Sequence, residues 1–211
     1  MTKLLVVFDV DSTLIEDEVI ELLADVAGKR AEVAAVTERA MAGELDFASS
    51  LIQRVQTLAG LPEAVFAEVG QRIRITRGAK ELIDAVHNAG GRVGAVSGGF
   101  TQVLNPLADV LNLDFARAND LEVVDGKLTG KVLGKIIDRS AKREALVEWA
   151  QRADFKIEQT VAIGDGANDL EMMEAAALSV AFNAKPIVKE KANLVLESGN
   201  LADLIPILGL A

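Results

Sequence analysis

Five short apolar runs constrain the fold of this chain more than any other feature: "KLLVVF" (3–8), "RVGAV" (92–96), "TVAIG" (160–164), "LSVAF" (178–182) and "NLVLE" (193–197). They read as strands buried on both faces rather than strands with one wet side. Amphipathic stretches lie between most of them. Residues 79–89 put Leu82, Ile83 and Val86 on one helical face, and 141–152 do the same with Ala145, Leu146 and Trp149. Strand and helix in alternation predict an α/β fold, a doubly wound parallel sheet with right-handed crossovers. Two segments break the rhythm. Residues 16–75 hold several helical patterns and no convincing strand, which predicts a small helical cap domain inserted after the first strand. The core domain would then be 1–15 plus 76–211. Residues 120–132, "DLEVVDGKLTGKV", set Asp-Gly between β-type runs, a hairpin signature.

Charge narrows the partners. With 32 acidic against 22 basic residues among 211, the net charge is −10. Such a surface repels nucleic acid and anionic membranes, and the basic residues are too scattered to form a binding patch. There is no cysteine, so disulfides and thiolate metal sites are excluded. No apolar run has the length of a membrane span, and "LLVVF" is too short for a signal-peptide core. A cytoplasmic protein, monomer or homodimer, with a small-molecule substrate is the expectation. His87, the only histidine, falls at a helix end and reads as a residue near the negative dipole pole.

Open parallel sheets bind ligands outside the carboxyl ends of their strands. Asp9 and Asp11 follow the first run, Asp165 and Asp169 lie in "GDGAND" after the run 160–164, and Ser97 and Gly98 lie in "AVSGGF". Four carboxylates in one crevice raise one another's pKa unless a cation neutralises them, and Mg²⁺ suits hard oxygen ligands. Either pair alone could simply cap a turn or a helix. Both together, each after a buried strand, point to a metal. "SGG" at 97–99 can offer a hydroxyl and backbone N–H groups to an anion. In "RSAKREALVEWA" (139–150) Ser140 is the expected N-cap, and Lys142 by itself reads as a solvated surface lysine.

In this order the pieces resemble the haloacid-dehalogenase superfamily of phosphotransferases: Asp-x-Asp-x-Thr at 9–13, Ser97, Lys142, and Gly-Asp-Gly-x-Asn-Asp at 164–169. More narrowly, "DVDSTL", "VSGGFT", "DGKLTG", "AIGDGANDLEM" and "AKPIVKEKA" are similar to motifs of its phosphoserine phosphatase family. Val10 stands where that family has Phe, and the first strand begins at residue 3, without the regulatory extension some members carry before it. The resemblance implies a Rossmann-like core and a Mg²⁺-dependent phosphatase that completes serine synthesis. Asp9 would be the nucleophile forming an aspartyl phosphate, and Asp11 the proton donor and acceptor. The metal would be held by Asp9, Asp165 and the backbone carbonyl of Asp11. Ser97 and Gly98 would hold phosphate oxygens, Lys142 would stabilise developing charge, Asp169 would orient it, and Asn168 would reach the phosphate. Thr13 would fix the turn.

The leaving group must be read by the insertion. Phe47, Leu51, Val55 and Leu58 form an apolar helical stripe into which Arg54 falls, and a charge on a buried face needs a partner. From spacing alone Arg54 could equally snorkel to solvent. Glu18 borders the stripe of Ile15, Val19, Leu22 and Val26, and could be an exposed first-turn glutamate. O-phosphoserine, however, carries one ammonium and one carboxylate beyond its phosphate, and Glu18 and Arg54 are the minimal complement. The resemblance implies the same roles. Met41 and Phe47 are further candidates for the pocket wall. Alternative readings are a phosphatase or phosphotransferase acting on another small ester, or a receiver-like module storing phosphate on Asp9. Asp11, two residues on, favours hydrolysis over storage.

Overall fold

A chain whose strands are apolar on both faces needs helices on both sides of its sheet. The computed structural model, which describes residues 3–41 and 44–210 apart from the side chains of Ala40 and Met41, has this layering. The strands are β1 (Leu5–Phe8), β2 (Arg92–Phe100), β3 (Phe115–Val124), β4 (Lys127–Leu133), β5 (Thr160–Gly164), β6 (Leu178–Phe182) and β7 (Leu194–Leu196). They pair in the order β4-β3-β2-β1-β5-β6-β7, all parallel except β4. The helices are α1 (Val19–Val26), α2 (Arg30–Met41), α3 (Phe47–Gln56), α4 (Val65–Arg72), α5 (Ala79–Asn88), α6 (Thr101–Leu111), α7 (Arg139–Arg152), α8 (Leu170–Ala175), α9 (Pro186–Lys189) and α10 (Leu204–Ile207).

Alternate residues of β1 serve opposite layers. Val6 and Phe8 join the cluster that contains Leu82, Ile83 and Val86 of α5 and Leu104 of α6. Leu5 and Val7 join Ala145, Leu146 and Trp149 of α7 and Met172 of α8. All four β1 side chains are fully buried, each worth about 1.5–3 kcal/mol of transfer free energy. The chain order reverses at β1, which pairs with β2 on one side and β5 on the other. Phe8 lies level with Ala95 and Ile163. The carboxyl ends of these three strands therefore open into one crevice at the switch point.

The chain leaves the sheet at Ile15 and returns at Ile75, and these two residues form an antiparallel bridge. Glu16 N–H donates to Arg74 O at 2.9 Å and Thr76 N–H to Leu14 O at 3.0 Å, which makes a two-stranded neck. Helices α1 to α4 lie beyond it. They rest on the β3–β4 hairpin, where Gly60 N–H donates to Leu128 O (2.8 Å) and Leu128 N–H to Leu61 O (2.9 Å). The hairpin turns at Asp125 (φ 50°) and Gly126 (φ 71°), the doubly left-handed geometry for which Asp-Gly is suited.

Two local expectations change, and a third gains a partner. The third strand begins at Phe115, not near 120: "FARAN" pairs with β2 although it is only partly buried and lacks the β-branched run that would announce a strand. The N-cap of α7 is Asp138, whose Oδ1 accepts from Ala141 N–H at 2.9 Å, and not Ser140. The longer-reaching carboxylate at position 138 caps the helix two residues earlier. His87 does sit in the last turn of α5, but its partner is a carboxylate: Nε2 lies 2.9 Å from Asp114 Oδ2. Among the described residues, no helix is long and apolar enough to cross a membrane.

Candidate active site

Asp9 is placed by the sheet itself. Its N–H continues the ladder, donating to Ile163 O at 2.8 Å, after which the chain makes one wide turn over Val10–Leu14. Within that turn Ser12 adopts φ 57°, a left-handed conformation that is unusual for serine and typical of functional loops. Asp9 Oδ1 accepts from Val10 N–H (2.7 Å) and from Lys142 Nζ (2.6 Å). Among the described residues no donor reaches its other oxygen.

Lys142 is the largest departure from the local reading of its helix. It is 0% exposed, and its ammonium bridges Asp9 Oδ1 and Asp169 Oδ1, the latter at 2.7 Å. Asp169 Oδ2 accepts from Gly166 N–H at 3.0 Å, so both oxygens of Asp169 are held by the protein. Two buried carboxylates thus share one ammonium. Burial pushes Asp9 well above the usual carboxylate range, Asp169 pushes it further, and Lys142 only partly offsets them. Burial alone would lower the lysine's pKa, but Asp169 and Asp9 outweigh it, and the ammonium is held above its ordinary range.

Asp11 points another way. Its Oδ1 accepts from Val19 N–H (2.7 Å) at the start of α1 and its Oδ2 from Ser97 Oγ (2.9 Å). Burial raises its pKa despite those donors. Asp165 is also raised, by burial and then by Asp169, with Lys185 and Lys142 pulling the other way. Thr13 Oγ1 donates to Asp165 Oδ1 at 3.3 Å and so ties the first turn to the second acid cluster. Oxygens of Asp9, Asp165 and Asp169 come within 4.8 Å of one another, close enough to share an ion.

A cavity of about 410 Å³ opens over these groups, lined by Asp9, Asp11, Gly98, Asp165 and Asn168 from the sheet edge and by Glu18, Phe47 and Arg54 from the helical insertion. Ser97, Lys142 and Asp169 stand directly behind this wall and act on it through Asp11 and Asp9. Gly98 is at the meeting point of the two parts, since a Cβ there would lie 2.8 Å from Phe47 Cζ. Glu18 faces the open cavity, yet the crevice walls displace enough water, with Asp11 nearby, to push its carboxyl up to about 7. Ser12 Oγ donates to Glu18 Oε1 at 2.7 Å. Arg54, half-buried, donates from Nε to Ser50 O at 3.3 Å; burial lowers its pKa and Glu18 opposes that. The side chain of Met41 lies outside the described residues.

Lys185 lines the mouth of the cavity and was not singled out from the sequence, although it lies in the quoted stretch "AKPIVKEKA". Its backbone N–H donates to Asp165 O at 3.0 Å. Ser12 was missed as well; the DVDST spacing contains it, but a left-handed φ leaves no mark in a hydrophobic pattern.

Residues 6–174 match the family model for haloacid dehalogenase-like hydrolases. The chain is 50% identical over 206 residues to the phosphoserine phosphatase of Streptococcus thermophilus, covering 98% of this chain and 96% of that protein. It is 54% identical over 206 residues to the phosphoserine phosphatase of Streptomyces coelicolor, covering 98% of this chain but only 50% of that longer protein. A solved structure described as a phospho-aspartyl intermediate analogue of phosphoserine phosphatase superposes with a TM-score of 0.91 at 43% identity, over 98% of this chain and 99% of that one. The chain therefore belongs to the haloacid dehalogenase-like hydrolases, on the branch of the phosphoserine phosphatases.

Proposed function

We propose that the protein is a Mg²⁺-dependent phosphatase that hydrolyses O-phospho-L-serine through an aspartyl phosphate on Asp9, the last step of serine biosynthesis, in the cytoplasm. The observation that carries this reading is the pairing, in one cavity, of phosphoryl-transfer groups with one acid and one guanidinium from the insertion. Phosphoserine has one group for each.

The donor set fits a small divalent cation. Only oxygens are on offer, and burial and Asp169 raise both Asp9 and Asp165, which marks a site short of positive charge. With both oxygens of Asp169 engaged by Lys142 and Gly166, the ligands would be Asp9, Asp165 and the Asp11 carbonyl. When bound, the ion neutralises charge and positions the phosphoryl group.

The chain's own residues carry the rest. The free oxygen of Asp9 attacks phosphorus, the bond from phosphorus to the serine oxygen breaks, and Asp11 gives that oxygen its proton. Water then attacks the acyl phosphate, Asp11 takes up its proton, and the bond from phosphorus to Asp9 breaks. Such acid–base help is worth roughly 10²–10⁴ in rate. Val19 N–H and Ser97 Oγ keep Asp11 turned away from the Asp9–Lys142 pair. Lys142 takes up charge developing on the phosphoryl oxygens and on Asp9. Glu18 receives the substrate ammonium and Arg54 its carboxylate. The helical insertion, standing on a two-stranded neck, closes over the site and excludes water.

Phosphate release from a panel of phosphorylated amino acids, sugars, nucleotides and an aryl phosphate tests this. Phosphoserine should be turned over best. Glu18→Ala and Arg54→Ala should lower kcat/KM for phosphoserine by 10-fold or more while sparing the aryl phosphate. Sugar phosphates used as well as phosphoserine, or both substrates suffering alike in the variants, would refute the substrate assignment.

A further inference from the structure

Strands β2 and β3 pair in parallel through Val96↔Arg117 and resume at Phe100↔Asn119, so β2 advances four residues while β3 advances two. Ser97, Gly98 and Gly99 therefore stand opposite Ala118 alone, a bulge with two surplus residues. A bulge re-aims its residues but strips the backbone of ladder partners. Asn119, 1% exposed, replaces them: its Nδ2 donates to Gly98 O at 2.8 Å, and its Oδ1 accepts from Ile137 N–H at 2.8 Å.

Those two bonds reach both arms of the site. Gly98 O shares a peptide unit with Gly99 N–H, which donates to Ser97 Oγ at 2.7 Å, and Ser97 Oγ donates to Asp11 Oδ2 at 2.9 Å. Every link from Ile137 N–H to Asp11 has its donor facing the same way, an arrangement in which hydrogen bonds polarise and stiffen one another. On the other side, Ile137 precedes Asp138, the N-cap of α7, whose carbonyl accepts the N–H of Lys142 at 3.0 Å. We infer that Asn119, which does not line the cavity, is a positioning residue that locks the Ser97–Gly99 bulge and Lys142 into one frame, so that Asp11 and the groups around the phosphoryl site keep their spacing. The inference rests on the phosphatase reading above. A side-chain amide supplies a donor and an acceptor at opposite ends without having to take up a proton.

Asn119→Asp, when ionised, keeps the shape and the acceptor but loses the donor, and Asn119→Leu loses both at any pH. Steady-state hydrolysis of phosphoserine and of an aryl phosphate, corrected for folded fraction by circular dichroism, reads the effect. The expected result is a fall in kcat of roughly 10- to 100-fold, the scale of a misplacement near 1 Å, with KM changed far less. Both substrates should fall by the same factor, in contrast to Glu18 and Arg54 variants. A lowered melting temperature with kcat per folded molecule within about 2-fold of wild type would show a merely structural amide and overturn the inference. Should neither variant fold, or the wild type hydrolyse neither ester, a titration of the wild type with Mg²⁺ and inorganic phosphate decides. The Asn119 side-chain amide should shift in the nuclear magnetic resonance spectrum together with Gly98 and Gly99, and a silent amide would overturn the proposal.

Discussion

Replacing Lys142 by Met retains an unbranched stem of similar length and removes only the ammonium. In the native protein that ammonium lies 2.6 Å from Asp9 Oδ1 and 2.7 Å from Asp169 Oδ1, with all three groups buried. At an effective dielectric constant near 20, each contact is worth about 6 kcal/mol of Coulomb energy. That sum is not the expected loss, because the lysine's own desolvation is relieved and the abandoned carboxylates can take up protons. Protonation sets the ceiling. From the ordinary aspartate value of 3.8, placing one proton at pH 7.5 costs about 1.36 kcal/mol for each of 3.7 units, or about 5 kcal/mol. The expected loss at pH 7.5 in chelator is therefore about 3–5 kcal/mol, in the range seen when one partner of a buried pair is deleted. At pH 5.5 the proton comes about 2.7 kcal/mol more cheaply, so the loss should shrink by up to that amount. Adding Asp169→Asn removes one abandoned charge, so the double variant should be more stable than Lys142→Met alone. Urea unfolding of the wild type, both singles and the double at the two pH values measures all of this. A loss below about 1 kcal/mol, a loss independent of pH, or simple additivity of the two substitutions would refute the argument.

Other outcomes follow from the same geometry. Asp9→Asn should abolish phosphoenzyme formation in a rapid-quench assay, while Asp11→Asn should leave substrate binding nearly intact and slow both chemical steps by roughly 10²–10⁴. Burial raises Asp9, Asp11 and Asp165, and Glu18 reaches about 7, so the folded chain binds protons more readily than the unfolded chain. Stability in chelator should therefore fall as pH rises from the ordinary carboxylate range through these raised values. Mg²⁺ displaces those protons, so the gain in Tm on adding it should be larger at pH 8 than at pH 6; a pH-independent gain in calorimetry would count against the carboxylate site. Gly98→Ala would set a Cβ 2.8 Å from Phe47 Cζ and hold the insertion open, lowering kcat/KM roughly 10-fold. Adding Phe47→Ala should restore part of it, and no restoration would show that the clash lies elsewhere.

The sheet was legible because burial on both faces imposes a local composition. Runs such as "TVAIG" announce a central strand whatever surrounds them, and Asp-Gly announces its hairpin by the backbone conformation it tolerates. The acids could be placed at the crevice for the same reason: each follows a run whose direction in a parallel sheet is already set. Glu18 and Arg54 could be singled out only by joining stripe geometry to a resemblance, and the structure brings both to the cavity wall. Lys142 shows where local reading stops. Its helix turns Ala145, Leu146 and Trp149 to the sheet, but spacing does not say what Lys142 will meet near the helix start, and a lysine that by itself reads as solvated becomes fully buried once Asp9 and Asp169 converge on it from far away in the chain. Asn119 was invisible for a related reason: nothing in "RAND" tells that β2 will bulge opposite it and leave Gly98 without a partner. The sequence alone determined the layers, the strand direction and the chemical inventory at the crevice, since these depend on periodicity and on residue type. Which carboxylate shares the lysine, which hydroxyl holds Asp11 and which amide braces the loop were decided by tertiary structure. Hydrogen bonds and buried charges act over a few ångströms, and only the folded chain sets those distances.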